Sequence, residues 1–128
     1  MAVKAIAKNV RISPRKVGIV ASLVRGRSVA DALVILEHTP RRSASAVKEV
    51  IKSAKANAEH NHSLKPDSLI ISEISVGHGQ RYKRYRPAAR GRALSYQHKT
   101  SHIKVTVDGE KRVTKIAKES VQVDKETK

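Results

Sequence analysis

The chain has 128 residues, the size of one domain, and carries 27 Lys and Arg against 11 Asp and Glu, for a formal net charge of +16. It has no cysteine, which excludes disulfides and thiolate metal sites, and its pI of about 10.6 points to a polyanionic partner. No apolar run approaches the roughly 20 residues of a membrane span, and helices lined by Val and Ala lack the bulk of a membrane-surface helix, so no membrane partner is expected.

Residues 2 to 12 alternate loosely and predict a short strand with basic residues. They lack the continuous apolar stretch of a signal peptide, which leaves the cytoplasm as the expected compartment. Ser13-Pro14 is a helix start, with serine at the N-cap and proline at the first helical position. Val17, Val20, Ala21 and Val24 then recur at helical spacing, and Gly26 supplies the stop. Ser28 and Asp31 resemble a capping box that opens a second helix through Leu33 and Leu36. Thr39-Pro40 repeats the start signature before the longest helix. Val47, Val50, Ile51, Ala54 and Ala58 share one of its faces, and Lys48, Lys52 and Lys55 lie on another. Residues 60 to 67, HNHSLKPD, end it.

The rest reads as sheet. Leu69 to Val76 is β-branched and apolar, with Ile70, Ile74 and Val76 expected on one face. His102 to Asp108 alternates strictly, with Ile103, Val105 and Val107 inward. Between them, residues 77 to 101 are too polar for a core yet carry their own turn at Pro87 to Gly91. A single long hairpin accounts for this. Each arm would hold about 12 residues, on the order of 40 Å at strand rise. One α+β domain over residues 1 to 109 is expected, followed by a disordered, mixed-charge tail over 110 to 128.

From Ile74 to Val107 there is no acidic residue, while Arg81, Lys83, Arg84, Arg86, Arg90, Arg92, Lys99 and Lys104 all fall within it. Tyr82, Tyr85 and Tyr96, the only aromatic residues of the chain apart from its histidines, fall in the same window. An ordinary solvated face mixes charge signs. A single-sign ribbon without apolar cover repels itself and is marginally stable alone. A polyanion removes that cost: arginine forks fit phosphate oxygens, guanidinium planes and tyrosine rings stack on unpaired bases, and each neutralised phosphate releases counterions. Arg11, Arg15, Lys16, Arg25 and Arg27 form a second basic group around the ends of the first helix and are candidate secondary phosphate contacts.

His60 and His62 form a His-x-His pair, but no cysteine or suitably spaced carboxylate joins them, and a polar helix end is the expected reading. Gly77-His78-Gly79 lacks the third glycine and following helix of a dinucleotide fingerprint. A bulge where sheet gives way to ribbon is expected there. No nucleophile motif or carboxylate pair is present, so neither an enzyme nor a cofactor is expected.

Several stretches resemble the bacterial large-subunit ribosomal protein L twenty-two family. They are Ser13-Pro14-x-Lys16, the Ser-Ala-x-Ala-Asn-Ala segment at 53 to 58, the Tyr-Arg-Pro-Ala-Ala-Arg-Gly-Arg-Ala apex at 85 to 93, and His102-Ile103-Lys104-Val105. The resemblance covers residues 2 to 109. It implies three helices packed on a small antiparallel sheet, with one long protruding β-hairpin. It also implies a structural role in the large ribosomal subunit, with ribosomal RNA and neighbouring ribosomal proteins as partners and RNA assembly as the task. The arms, Arg81 to Arg86 and Arg92 to Lys99, would clamp RNA. Pro87, Ala88, Ala89, Arg90 and Gly91 would face the peptide exit tunnel and the nascent peptide. An architectural DNA binder with a basic ribbon arm is the alternative, and a protein-interaction module with an acidic partner is a third reading.

Overall fold

In the computed structural model, residues 2–111 are described. The order is β1 (Val3–Val10), α1 (Pro14–Val24), α2 (Val29–His38), α3 (Arg42–His62), a short 3-10 turn at Pro66–Ser68, β2 (Ile70–Pro87) and β3 (Ala93–Asp108). The strands form one antiparallel sheet in the order β1-β3-β2. The helices pack on one face of it, as the α+β reading expects.

Each helix buries the stripe its sequence spells out. Val17, Val20, Ala21 and Val24 of α1 are all buried. Pro14 occupies its first turn after an extended Ser13, and Gly26 adopts a left-handed φ of 74° just beyond the end. That glycine turns the chain so that its N–H donates to the Ile71 carbonyl at 3.1 Å, while the Ile71 N–H donates to the Arg27 carbonyl at 2.9 Å. The α1–α2 connection is thereby stitched to the start of β2. At α2 the Ser28 hydroxyl accepts from the Asp31 N–H at 3.1 Å and donates to the Asp31 carboxylate at 2.7 Å. The cap forms as expected.

Two expectations are corrected. Thr39-Pro40 does not start α3. The Thr39 hydroxyl donates back to the Ile35 carbonyl at 2.6 Å and so closes α2, and α3 begins at Arg42 after an Arg41 N-cap that makes no side-chain cap bond. In β2, Ile70 is 53% exposed while Ile71 and Ile74, like Leu69 just before the strand, are buried. The register with β3 slips between Ile71 and Glu73, leaving Ser72 as the extra residue. A bulge changes the parity of a strand, so Ile71 and Ile74, three apart, face the same core. Val76 is half-buried against that core.

On α3, Val47, Val50, Ile51, Ala54 and Ala58 are buried as expected, and the helix closes at a left-handed Ser63 with the Leu64 N–H donating to the Ala58 carbonyl at 3.0 Å. Ile103, Val105 and Val107 of β3 are fully buried beneath the helices. Past β3, the Lys65 N–H donates to the Glu110 carbonyl at 2.9 Å and Leu64 bridges Lys111. The first two residues of the expected tail are therefore held against the body; the remainder, 112 to 128, lies outside the described residues.

The bulge expected at Gly77-His78-Gly79 is present. His78 pairs with Ser101 and Arg81 with Lys99, so Gly79 and Gln80 together oppose Thr100. The Thr100 hydroxyl bridges the gap by donating to the Gln80 carbonyl at 2.8 Å. A Cβ on Gly79 would collide with the Thr100 hydroxyl oxygen and lie 3.1 Å from its carbonyl carbon, whereas one on Gly77 would meet nothing closer than 3.9 Å. Only the second glycine is required by its neighbours.

Candidate nucleic-acid interface

Beyond this bulge β2 and β3 continue as a two-stranded ribbon. Arg81 to Pro87 pair with Ala93 to Lys99 in unbroken register, a ribbon of roughly 23 Å at strand rise. No residue from Gln80 to Lys99 is buried. At the apex the Ala88 N–H donates to the Arg92 carbonyl at 2.7 Å, and the reversal runs through two left-handed residues, Arg90 at φ 58° and Gly91 at φ 69°. Pro87, Ala88, Ala89, Arg90 and Gly91 thus form the tip the sequence predicts.

Directly paired residues share a face, so the register sorts the ribbon into two. Tyr82 with His98, Arg84 with Tyr96 and Arg86 with Leu94 lie on one face. Arg81 with Lys99, Lys83 with Gln97 and Tyr85 with Ser95 lie on the other. On the first face the Arg86 guanidinium sits 4.9 Å from the Tyr96 ring centroid, and Tyr96 meets His98 edge-on at 5.3 Å. Tyr96 is therefore half-buried by its neighbours, while Tyr85 at 68% and Tyr82 at 37% exposure keep ring surface open. Cation–π contacts at exposed sites contribute about 0.5–1 kcal/mol, too little to replace a hydrophobic face.

The ion-paired carboxylates among the described residues lie away from the arms. Glu37 pairs with Lys48, Glu59 with Lys55 and Glu110 with Lys65, all on the body. The hydrogen bond and charge of Lys48 hold the Glu37 carboxyl below its usual range. No ion pair among the described residues reaches the arms. Among the described residues nothing nearby neutralises their cations.

The second basic group divides between the two ends of α1. Arg25 donates to the Ile74 carbonyl at 3.1 Å and Arg27 to the Leu23 carbonyl at 2.9 Å. Each spends one of five guanidinium donors there. Arg15 is exposed on α1. Arg11 and Lys16, at the opposite end, line a cleft of about 830 Å³ between the helix starts and the hairpin root. Tyr82, Gln97, His98 and Lys99 form its hairpin side.

Arg41 and Arg42 complete this cleft, and the sequence reading did not single them out. A local signal exists. Cations in a first helical turn oppose the helix dipole, and α3 places Arg42 there with Arg41 at its cap and no acid to offset them. A local rule broken without compensation often marks a functional site. His60 and His62 lie in the last turn of α3. Among the described residues no group of three or more His, Cys, Asp or Glu could hold a metal ion, and no helix is long and apolar enough to cross a membrane.

A small helix-covered sheet that extends into an uncovered basic hairpin is the architecture the ribosomal resemblance implies. The family model of ribosomal protein L22p/L17e matches residues 5–108, body and hairpin together. The chain belongs to that family, and is by that membership a ribosomal protein acting in translation, in the cytoplasm where bacterial ribosomes work. It is similar to the large ribosomal subunit protein uL22 of Oceanobacillus iheyensis, at 51% identity over 111 residues, which cover 87% of this chain and 98% of that relative.

Proposed function

We propose that this protein is a structural constituent of the large ribosomal subunit that grips folded ribosomal RNA with its hairpin and stabilises the assembled RNA. The carrying observation is the ribbon itself: paired arms with no buried residue from Gln80 to Lys99 and no carboxylate from Ile74 to Val107. Such a ribbon needs an anionic counterpart that can surround it. Helical RNA supplies phosphates on both sides, and its unpaired segments supply base faces for Tyr82 and Tyr85. Membership in a ribosomal family favours RNA over the bent duplex of the DNA-binding alternative.

The tip takes a second role. Ala88, Ala89 and Gly91 present little bulk, which suits a wall of the passage that nascent peptides traverse. Arg90 alone projects charge there. Neighbouring ribosomal proteins would meet the body, where Ile6, Ile19 and Leu23 are exposed.

Gradient sedimentation of a lysate tests the reading. The protein is expected to travel with the large subunit after a high-salt wash and to leave it when ribonuclease degrades the RNA. Sedimentation unaltered by nuclease would favour a protein partner and refute RNA as the holdfast.

A further inference from the structure

The cleft at the hairpin root differs in chemistry from the arms. Arg11, Lys16, Arg41 and Arg42 supply its cations from the body, the paired Tyr82 and His98 line it from one face of the ribbon, and no carboxylate among the described residues lines it. Cations alone would take any phosphate. An open aromatic ring and an imidazole on the same face are the groups that hold a base, one by stacking and the other by hydrogen bonds to its edge. The volume, about 830 Å³, lies within the roughly 300–1,000 Å³ of small-molecule sites.

The walls are set before any ligand arrives. The Ser43 hydroxyl, on a residue only 5% exposed, donates to the Lys16 carbonyl at 3.2 Å and ties the start of α3 to the start of α1. Thr100, 3% exposed, fixes the hairpin side through its bond to the Gln80 carbonyl. Neither α1 nor α3 has a side-chain cap bond or an acid in its first turn. Their unshared N–H groups add to the positive potential that the four cations already create.

We propose that this cleft receives a single unpaired nucleotide of the bound RNA. Its phosphate lies among Arg11, Lys16, Arg41 and Arg42, its base stacks on Tyr82, and His98 hydrogen-bonds the base edge. The assignment rests on the RNA-binding reading and adds to it: the arms hold backbone, whereas the cleft selects a nucleotide that has left its stack. Because the residues come from α1, the start of α3 and both hairpin strands, the captured nucleotide would also lock the hairpin's direction against the body.

Binding of the full chain to two short RNA stems tests this. The stems are identical except that one carries a single bulged adenosine. Wild type is expected to bind the bulged stem at least about fivefold more tightly, the low end of what one base–aromatic stack contributes. Tyr82→Ala should bring the ratio of the two affinities close to one, and Tyr82→Phe should restore it by returning the ring. Tyr82 lies outside the core, so both variants fold. Equal binding of the two stems by wild type would overturn the pocket and leave the RNA reading standing, as would a preference that survives Tyr82→Ala. Binding to neither stem would overturn both.

Discussion

Replacing Arg81, Arg84, Arg86 and Arg92 together by glutamine is expected to weaken binding to folded large-subunit RNA by roughly a hundredfold to a thousandfold at physiological salt. The estimate follows from counterion release. Each neutralised phosphate contributes about 0.7–0.9 to the slope of log affinity against log salt, so four lost contacts should flatten that slope by about 3. No carboxylate partner is stranded by the change, because none of the four arginines forms an ion pair among the described residues. Thermal melting of the body should therefore be nearly unaltered. Affinity measured at three or four salt concentrations checks both parts, and an unchanged slope would mean that the arms do not touch phosphate.

The opposite behaviour is expected of Ile51→Ala. Ile51 is fully buried on α3 within the core formed with α1 and the sheet. Truncating it should cost about 2–5 kcal/mol, the transfer energy of the lost carbons plus the cavity they leave. For a domain of this size that corresponds to a melting temperature lower by roughly 10–20 °C. Deleting residues 84 to 94, by contrast, removes no buried residue, and the truncated chain should melt close to wild type. Calorimetry of the two variants side by side separates body from arm. A deletion variant with no thermal transition would show that the hairpin takes part in the core.

The sequence made most of this legible wherever one period ruled a segment. The strict alternation of β3 and the apolar stripe of α1 bury the residues they name, and Pro87 to Gly91 reverses the chain between single-sign arms. Ile70 and Ile71 were not separable in the same way. The deciding feature is a bulge at Ser72, and neither glycine nor proline marks it. Thr39-Pro40 was ambiguous because a threonine can close one helix through its hydroxyl as readily as it can cap the next. The cleft was hidden for another reason: Arg11, Lys16, Arg42 and Tyr82 are far apart in the chain, and only packing brings them together. Charge runs in a sequence reveal local density. They do not reveal convergence.

Amide exchange along the hairpin, with and without folded large-subunit RNA, examines the core idea most closely. Residues 81 to 87 and 93 to 99 should exchange rapidly in the isolated protein, since a ribbon with neither face covered opens readily, and should slow markedly once RNA encloses them. Slow exchange in the protein alone, or fast exchange that RNA fails to alter, would show that the ribbon finds its support somewhere other than nucleic acid.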